Sequence, residues 1–370
     1  MNSRTRLFNA IKGEPIDRVP VKMWGIHPWQ EPPHESYRPL FELAWESDPM
    51  PGWGPKGMPL ALNAHPDISV HQESRPSKHA GHVEDVAIIE APGKRFESVS
   101  LRSTDNRPGM ISQHFISTPE QMQAFLDLPF RPFQPDVEDF FIQRERLGDK
   151  GLLMAMLPAD PIYQLQILLG SEALALWSMD HRDLVRQFIA SYGERWHEYA
   201  AYLLEQDLGP LFGYVGPELG IPPLMSLRDF EEFVWEVEKP VLDRIHAAGC
   251  YAWVHCHGRM RLVIERFADM GVDCLNPIEP PPMGDITLPE AKELVGDRMT
   301  LEGNVEIGDF ADLEPEAFRE VCIAAMEAGK PGGRFIFCQS ADPSHWPELP
   351  PRVLENYRIF LEVGREYGRY

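Results

Sequence analysis

Hydrophobic spacing along the chain changes near residue 118. Beyond it, short apolar runs at 152–157, 211–215, 251–255, 273–277, 299–301 and 334–338 alternate with longer stretches whose apolar residues recur every three or four positions. Those longer stretches lie at 163–169, 181–206, 226–248, 259–270, 288–295, 315–328 and 351–367. The short runs read as buried strands and the 3.6-residue periods as helices with one face on a core. Thr118-Pro119-Glu120 opens the first helix of the series with an N-cap, a proline at the first helical position and an acidic first turn. Repeated β-then-α units imply a parallel sheet, and at least six of them favour a closed (β/α)8 TIM barrel of the α/β class over an open doubly wound sheet. No Gly-x-Gly-x-x-Gly or Walker loop is present, which also weighs against a nucleotide-binding sheet.

Upstream the pattern is weaker. Residues 1–12 predict a short helix capped by Asn2 or Ser3 and ended near Gly13, followed by a strand at 19–24. Residues 25–80 are rich in Pro, His, Trp and Gly and show little periodicity, as expected of a substrate lid, a wrap around the barrel mouth or an oligomer arm. Alternation returns at 86–90, 96–101 and 109–116, which predicts a small antiparallel sheet. The expected organisation is one barrel domain over 1–370, with 25–117 as an elaborated lid or insert.

With 370 residues, 43% of them hydrophobic, the chain can bury one large core. A formal net charge of −22 argues against nucleic acid and anionic membrane surfaces as partners. No apolar run reaches about 18 residues, so no membrane span is expected, and the polar, basic start shows no signal-peptide core. Cys250, Cys256, Cys274, Cys322 and Cys338 are odd in number and lack a Cys-x-x-Cys pair, which suggests reduced thiols and a cytoplasmic setting.

The densest chemistry is His255-Cys256-His257-Gly258 at the end of the run Tyr251-Ala252-Trp253-Val254. In a strand, His255 and His257 share a face and Cys256 takes the other. The run Arg334-Phe335-Ile336-Phe337-Cys338 ends in a thiol. His255, His257 and Cys338 together would make a three-ligand site with an open position, as a catalytic zinc requires. A pair of hydrogen-bonded histidines beside a buried thiol is the other reading. The remaining strand ends carry Asp160, Tyr214 with Glu218, Asn276 with Glu279, Glu302 with Asn304, and Asp342 with His345 nearby. Barrel chemistry sits at such ends. Glu218, Glu279 and Asn304 are the candidate catalytic groups, with Glu218 and Glu279 also candidate ligands. Asp160, Tyr214, Trp24 and His27 are candidate substrate contacts, although capping is the commoner role for an Asp before Pro161. Trp29, His34, Tyr37, Trp45 and Trp53 suit either a pocket for a flat substrate or a dimer arm.

The opening Arg4-Thr5-Arg6-Leu7 and Lys12-Gly13-Glu14-Pro15-Ile16-Asp17-Arg18-Val19-Pro20 resemble the uroporphyrinogen decarboxylase superfamily. So do Gly271-Val272-Asp273, Ala291-Lys292, Val295-Gly296, Glu302-Gly303-Asn304-Val305 and Asn356-Tyr357. The resemblance covers the first 20 residues and most of the chain from 118, and it implies a (β/α)8 barrel. True decarboxylases in that superfamily carry an Arg-Gln-Ala-Gly-Arg motif after the opening. Here Val21-Lys22-Met23-Trp24-Gly25-Ile26-His27 stands instead, which argues against a porphyrinogen substrate. The chain is more similar to the corrinoid-linked methyltransferase branch, which binds zinc through a His-x-Cys pair and a later Cys. The matching positions are His255, His257 and Cys338, with His in place of the middle Cys. The resemblance thus implies zinc and a small methyl donor or acceptor of the methyl ether or thiol class. An Asp-x-His-x-x-Gly element is missing, so the corrinoid is expected on a separate protein. A homodimer fits large barrels of this sort. The competing expectations are a metal-independent decarboxylase or lyase acting on a small carboxylate, with His255 and Glu218 as acid and base, and a noncatalytic ligand-binding barrel.

Overall fold

The apolar runs beyond residue 118 become parallel strands, and the alternating ones before it become an antiparallel sheet. The computed structural model describes residues 1–105, 107, 109–343 and 346–370. In chain order the strands are β1 (Gly52–Trp53), β2 (Ser69–Pro76), β3 (His82–Ala91), β4 (Lys94–Ser103), β5 (Met110–Gln113), β6 (Met154–Met156), β7 (Leu211–Val215), β8 (Tyr251–His255), β9 (Cys274–Ile278), β10 (Thr300–Val305) and β11 (Phe335–Gln339). Seven form a parallel sheet in the order β1-β6-β7-β8-β9-β10-β11, and β2-β3-β4-β5 form the separate antiparallel sheet.

Side-chain parity divides the parallel sheet into two faces. Leu211, Trp253, Cys274 and Ile336 join Met154, Leu152 and the helix residues Leu7, Ala10 and Ile11 in one buried cluster. Their strand neighbours Phe212, Val254, Leu275 and Phe337 face the larger core under the outer helices. The helix Ser3–Lys12 closes the inner cluster from one end. Asn2 caps its start by accepting from Thr5 N, and Gly13 ends it at φ 73°. Arg334 donates to the carbonyls of Ile11 and Lys12 at 3.0 Å, and Thr300 Oγ1 donates to Ala10 O at 2.8 Å. The exposed carbonyls of the last helical turn are thereby satisfied.

The predicted strand at 19–24 is reduced to a single parallel bridge, Val21 to Phe337, with Lys22 N–H donating to Phe337 O and Phe337 N–H to Pro20 O. Pro20 has no amide hydrogen to extend the ladder. Asp48 anchors this segment. It is fully buried, accepts from Arg6 Nη1 at 2.6 Å and from Val21 N at 2.9 Å, and pairs with Arg18 at 2.7 Å. Removing it takes a carboxylate from two guanidinium groups, of which Arg6 keeps Asp17 as a second partner. Asp48→Ala is therefore expected to cost about 3 kcal/mol in urea unfolding; a loss within experimental error would contradict this anchoring.

The stretch 25–80 is more ordered than its composition suggests. It holds short helical turns between Glu35 and Glu46, the parallel strand β1, and β2 on the antiparallel sheet. Helices at Glu138–Leu147 and Ser171–Asp180 also escape the periodicity. The 226–248 helix contains a π-helical stretch at Glu231–Trp235, with Pro240 in the following turn, where the missing amide and the ring both disturb the ladder. Among the described residues no helix is long and apolar enough to cross a membrane.

Candidate functional site

Inner-face residues of β8 to β11 build a buried polar column. On β8, Trp253 lies in the inner cluster, and His255, two residues on, continues the same face at the strand end. On β10 the inner position is Glu302, fully buried. Lys22, 2% exposed, places Nζ 2.6 Å from Glu302 Oε1. Asn276 Nδ2 donates to that same oxygen at 2.8 Å, while Trp253 Nε1 donates to Oε2 at 2.9 Å. The lysine also lies 4.7 Å from the ring centroids of both Trp24 and Trp253. With its amide nitrogen spent on Glu302, Asn276 offers Oδ1 to His255 Nδ1 at 2.6 Å. That contact assigns the hydrogen to Nδ1 and leaves Nε2 with its lone pair. Burial, then the neighbouring His257, lower the His255 pKa to about 3, so this imidazole is neutral at ordinary pH. Trp24 stacks on it at 4.9 Å and 14°.

His257 sits 4.6 Å from His255, ring centroid to centroid, edge to face. Its Nδ1 lies 2.9 Å from Glu279 Oε1, and Glu279 Oε2 accepts from Gly258 N at 2.8 Å. Burial opposes charge on His257, but the bond to Glu279 and the nearby Glu218 and Glu306 carboxylates outweigh it and raise its pKa. Glu279 responds the opposite way: burial pushes its pKa up, but the hydrogen bond and charge of His257, then Gly258, bring it below its ordinary value. Glu218 has a buried Oε2 with no hydrogen-bond partner, and burial raises its pKa. His27 is half-buried, and burial lowers its pKa.

Both imidazoles fit a metal. Each has Nδ1 held by an oxygen acceptor and Nε2 free, the arrangement that orients histidine ligands. Cys338 follows Ile336 on the same inner face, in register with Asn304, and its thiol is fully buried with a pKa pushed well up by burial. Among the described residues, however, no three His, Cys, Asp or Glu side chains form a group able to hold a metal ion.

The other candidates divide. Trp24 joins the mouth through its stack on His255, and Asn304, 9% exposed, ends the inner row of β10. Tyr214 lies in the core under the outer helices, fully buried, donating to Glu238 Oε2 at 2.7 Å. Asp160 is fully buried and caps the helix Pro161–Leu169 through Tyr163 N at 2.8 Å. Most insert aromatics pack internally: Trp29 against Trp45, Trp53 against Phe140, and Tyr37 through its hydroxyl to Trp346 O at 2.7 Å. His345 lies outside the described residues. Lys22 was not legible as a functional residue, although its parity with Trp24 in the 19–24 pattern was available.

Residues 170–367 match the family model described as uroporphyrinogen decarboxylase (URO-D). Among solved structures, a methyltransferase from Methanosarcina mazei is similar over 99% of this chain and 99% of its own, at 17% identity and a TM-score of 0.61. At that identity the likeness concerns the fold. A muconate lactonizing enzyme from Pseudomonas putida matches 82% of this chain and 78% of its own at 12% identity, with a TM-score of 0.28, which carries no weight. No curated protein matches the chain.

Proposed function

The chain belongs to the uroporphyrinogen decarboxylase family, whose model matches more than half of it, and from that premise we propose that it is a zinc-dependent methyltransferase. The reading includes a full (β/α)8 barrel, with 19–24 as its eighth strand position beside β11. His255 and His257 would hold the zinc, with Cys338 as third ligand, and the methyl group would pass between a small methyl ether or thiol and a corrinoid carried by a separate protein. The observation that supports this most is the pair of anchored imidazoles with free Nε2 atoms. Zinc at such a site supplies Lewis-acid polarisation of a heteroatom or activation of a thiol. The protein's own part is to fix both rings: Glu302 through Asn276 for His255, and Glu279 for His257.

Elemental mass spectrometry on untagged protein tests the metal directly. Near-stoichiometric zinc is expected in the wild type and is lost in His257→Ala and Cys338→Ala. Glu279→Gln leaves the ligands intact but weakens the hold on His257, so zinc affinity is expected to fall about 10- to 100-fold in a chelator competition. Unchanged affinity would detach Glu279 from the metal site.

A second reading draws on Glu218. A carboxyl with a raised pKa and an unpartnered buried oxygen beside His257 suits proton donation in a metal-independent decarboxylase or lyase acting on a small carboxylate. Wild-type protein that neither contains nor takes up zinc would overturn the methyltransferase reading and make Glu218→Gln the next variant to assay.

A further inference from the structure

A cavity of 470 Å³ lies away from the polar column, between the segment 57–70, the antiparallel sheet and the helices Pro119–Leu126 and Arg182–Leu204. None of the residues of the His255–His257 site lines it. Its wall is largely apolar, with Met58, Ile68, Ile89, Phe125 and Leu128, and its size is that of a small-molecule pocket. One strong charge enters the wall, Arg195.

Arg195 has no carboxylate partner among the described residues. Its guanidinium donates one hydrogen bond, Nη1 to Ala61 O at 3.3 Å, and stacks 4.4 Å from the Phe130 ring centroid. Burial pulls its pKa down, with Tyr192 and Glu194 acting the other way. Five N–H groups in a planar fork, mostly unused and half out of water, await an acceptor. The wall offers a second donor. His65 Nδ1 accepts from Asp67 N at 3.2 Å, which assigns the ring hydrogen to Nε2. Moreover, the lining loop is held in an unfavourable backbone conformation. Ala61 and Leu62 take φ of 51° and 56°, left-handed values that cost a residue with a side chain, and the Ala61 carbonyl is the one that Arg195 binds. Strain of that kind in non-glycine residues gathers where a ligand is held.

We infer that this cavity is a binding site for a small amphipathic monocarboxylate, its aliphatic or aromatic body in the apolar wall and its carboxylate on Arg195. An apolar pocket with a single guanidinium that lacks a carboxylate selects for one negative charge on a hydrophobic body: a neutral ligand leaves the half-buried cation without an anion, and a second charge would meet apolar wall.

Titration calorimetry on the full chain tests this, with octanoate as probe and 1-octanol as its uncharged counterpart. Octanoate is expected to bind saturably and about ten- to a hundredfold more tightly than octanol, the worth of a charge-assisted hydrogen bond. Arg195→Gln should bring octanoate down to the octanol level, and Arg195→Lys should restore part of the preference. Absence of saturable octanoate binding to the wild type would overturn the proposal. So would equal affinity for the acid and the alcohol in the wild type, a comparison that does not depend on any variant folding.

Discussion

Glu302→Ala is expected to lower stability by about 5 kcal/mol, the upper end for breaking a buried ion pair. Glu302 is fully buried and accepts from Lys22, Asn276 and Trp253, with the Cys274 thiol a longer fourth donor at 3.9 Å. Its removal takes from the Lys22 ammonium, 2% exposed, the carboxylate it pairs with and leaves it against the indole faces of Trp24 and Trp253. An ammonium kept out of water without its carboxylate costs folding free energy. The effect extends to the candidate site. Asn276 loses the acceptor that fixes its amide, so it is no longer committed to presenting Oδ1 to His255. Replacing both members, Lys22→Met with Glu302→Leu, should recover much of the stability, because apolar residues of similar volume often match a buried pair. The double variant would not recover the orientation of His255. Urea unfolding of the two single variants and the double variant measures the first effect, and zinc content measures the second. If Glu302→Ala unfolds at the wild-type midpoint, the buried pair is not what holds the inner face together.

The column shows what the sequence could and could not reveal. The apolar run fixed the phase of His255, whereas His257 lies beyond the end of β8 and reaches the site by bringing its ring to 4.6 Å from that of His255. β7, β8 and β11 were legible for the same reason, as apolar runs between helices, whereas β9 carries Asn276 and β10 runs beyond the expected 299–301 through Glu302, Gly303 and Asn304 to Val305. β1 was not, since two residues, Gly52 and Trp53, make no pattern; neither was β2, whose eight residues are all exposed and so carry no alternation. The Lys22–Glu302 contact joins positions 280 residues apart, and only the closeness of the 19–24 segment to β11 brings them together. Tyr214 was assigned to the strand end by proximity. Its phase follows from the inner-face positions of Leu211 and Val215, which turn Tyr214 to the outer core. Asp160 and Glu238 were unreadable as a pair, for one ends a strand and the other lies within a helix 78 positions later, and nothing local marks a buried carboxyl as protonated.

That pair sets the second large expectation: as pH rises from 5 to 8, the wild type should lose stability relative to Asp160→Asn. Asp160 and Glu238 are both fully buried, and Asp160 Oδ2 and Glu238 Oε1 have no conventional donor. The groups around them are Tyr214, Tyr163, Tyr192, Glu218 and Cys256, none of them cationic. Burial therefore drives both carboxyls toward the neutral form. For Asp160 the pKa rises to about 7, and that of Glu238 rises well above its ordinary value, first by burial and then by the charge of Asp160. Two such oxygens are held together by a shared proton. Unfolded carboxyls release theirs near pH 4, so between that pH and about 7 these two carboxyls hold more protons in the folded chain than in the unfolded one. The pair's contribution to stability then falls with rising pH, by about 1.4 kcal/mol for each pH unit over which the pair holds one proton more than the unfolded chain. His246 and His257, whose pKa values are also raised, add loss of the same sign, whereas His255 and His27, whose pKa values burial lowers, add stability as pH rises, so the pair is read from the difference between wild type and variant. Asp160→Asn isolates the pair, because an amide donates to Glu238 without a titrating proton. Urea midpoints at pH 5, 6, 7 and 8 for both proteins decide the matter. An identical slope in the variant would mean that the buried carboxyls are ionised and compensated in some other way.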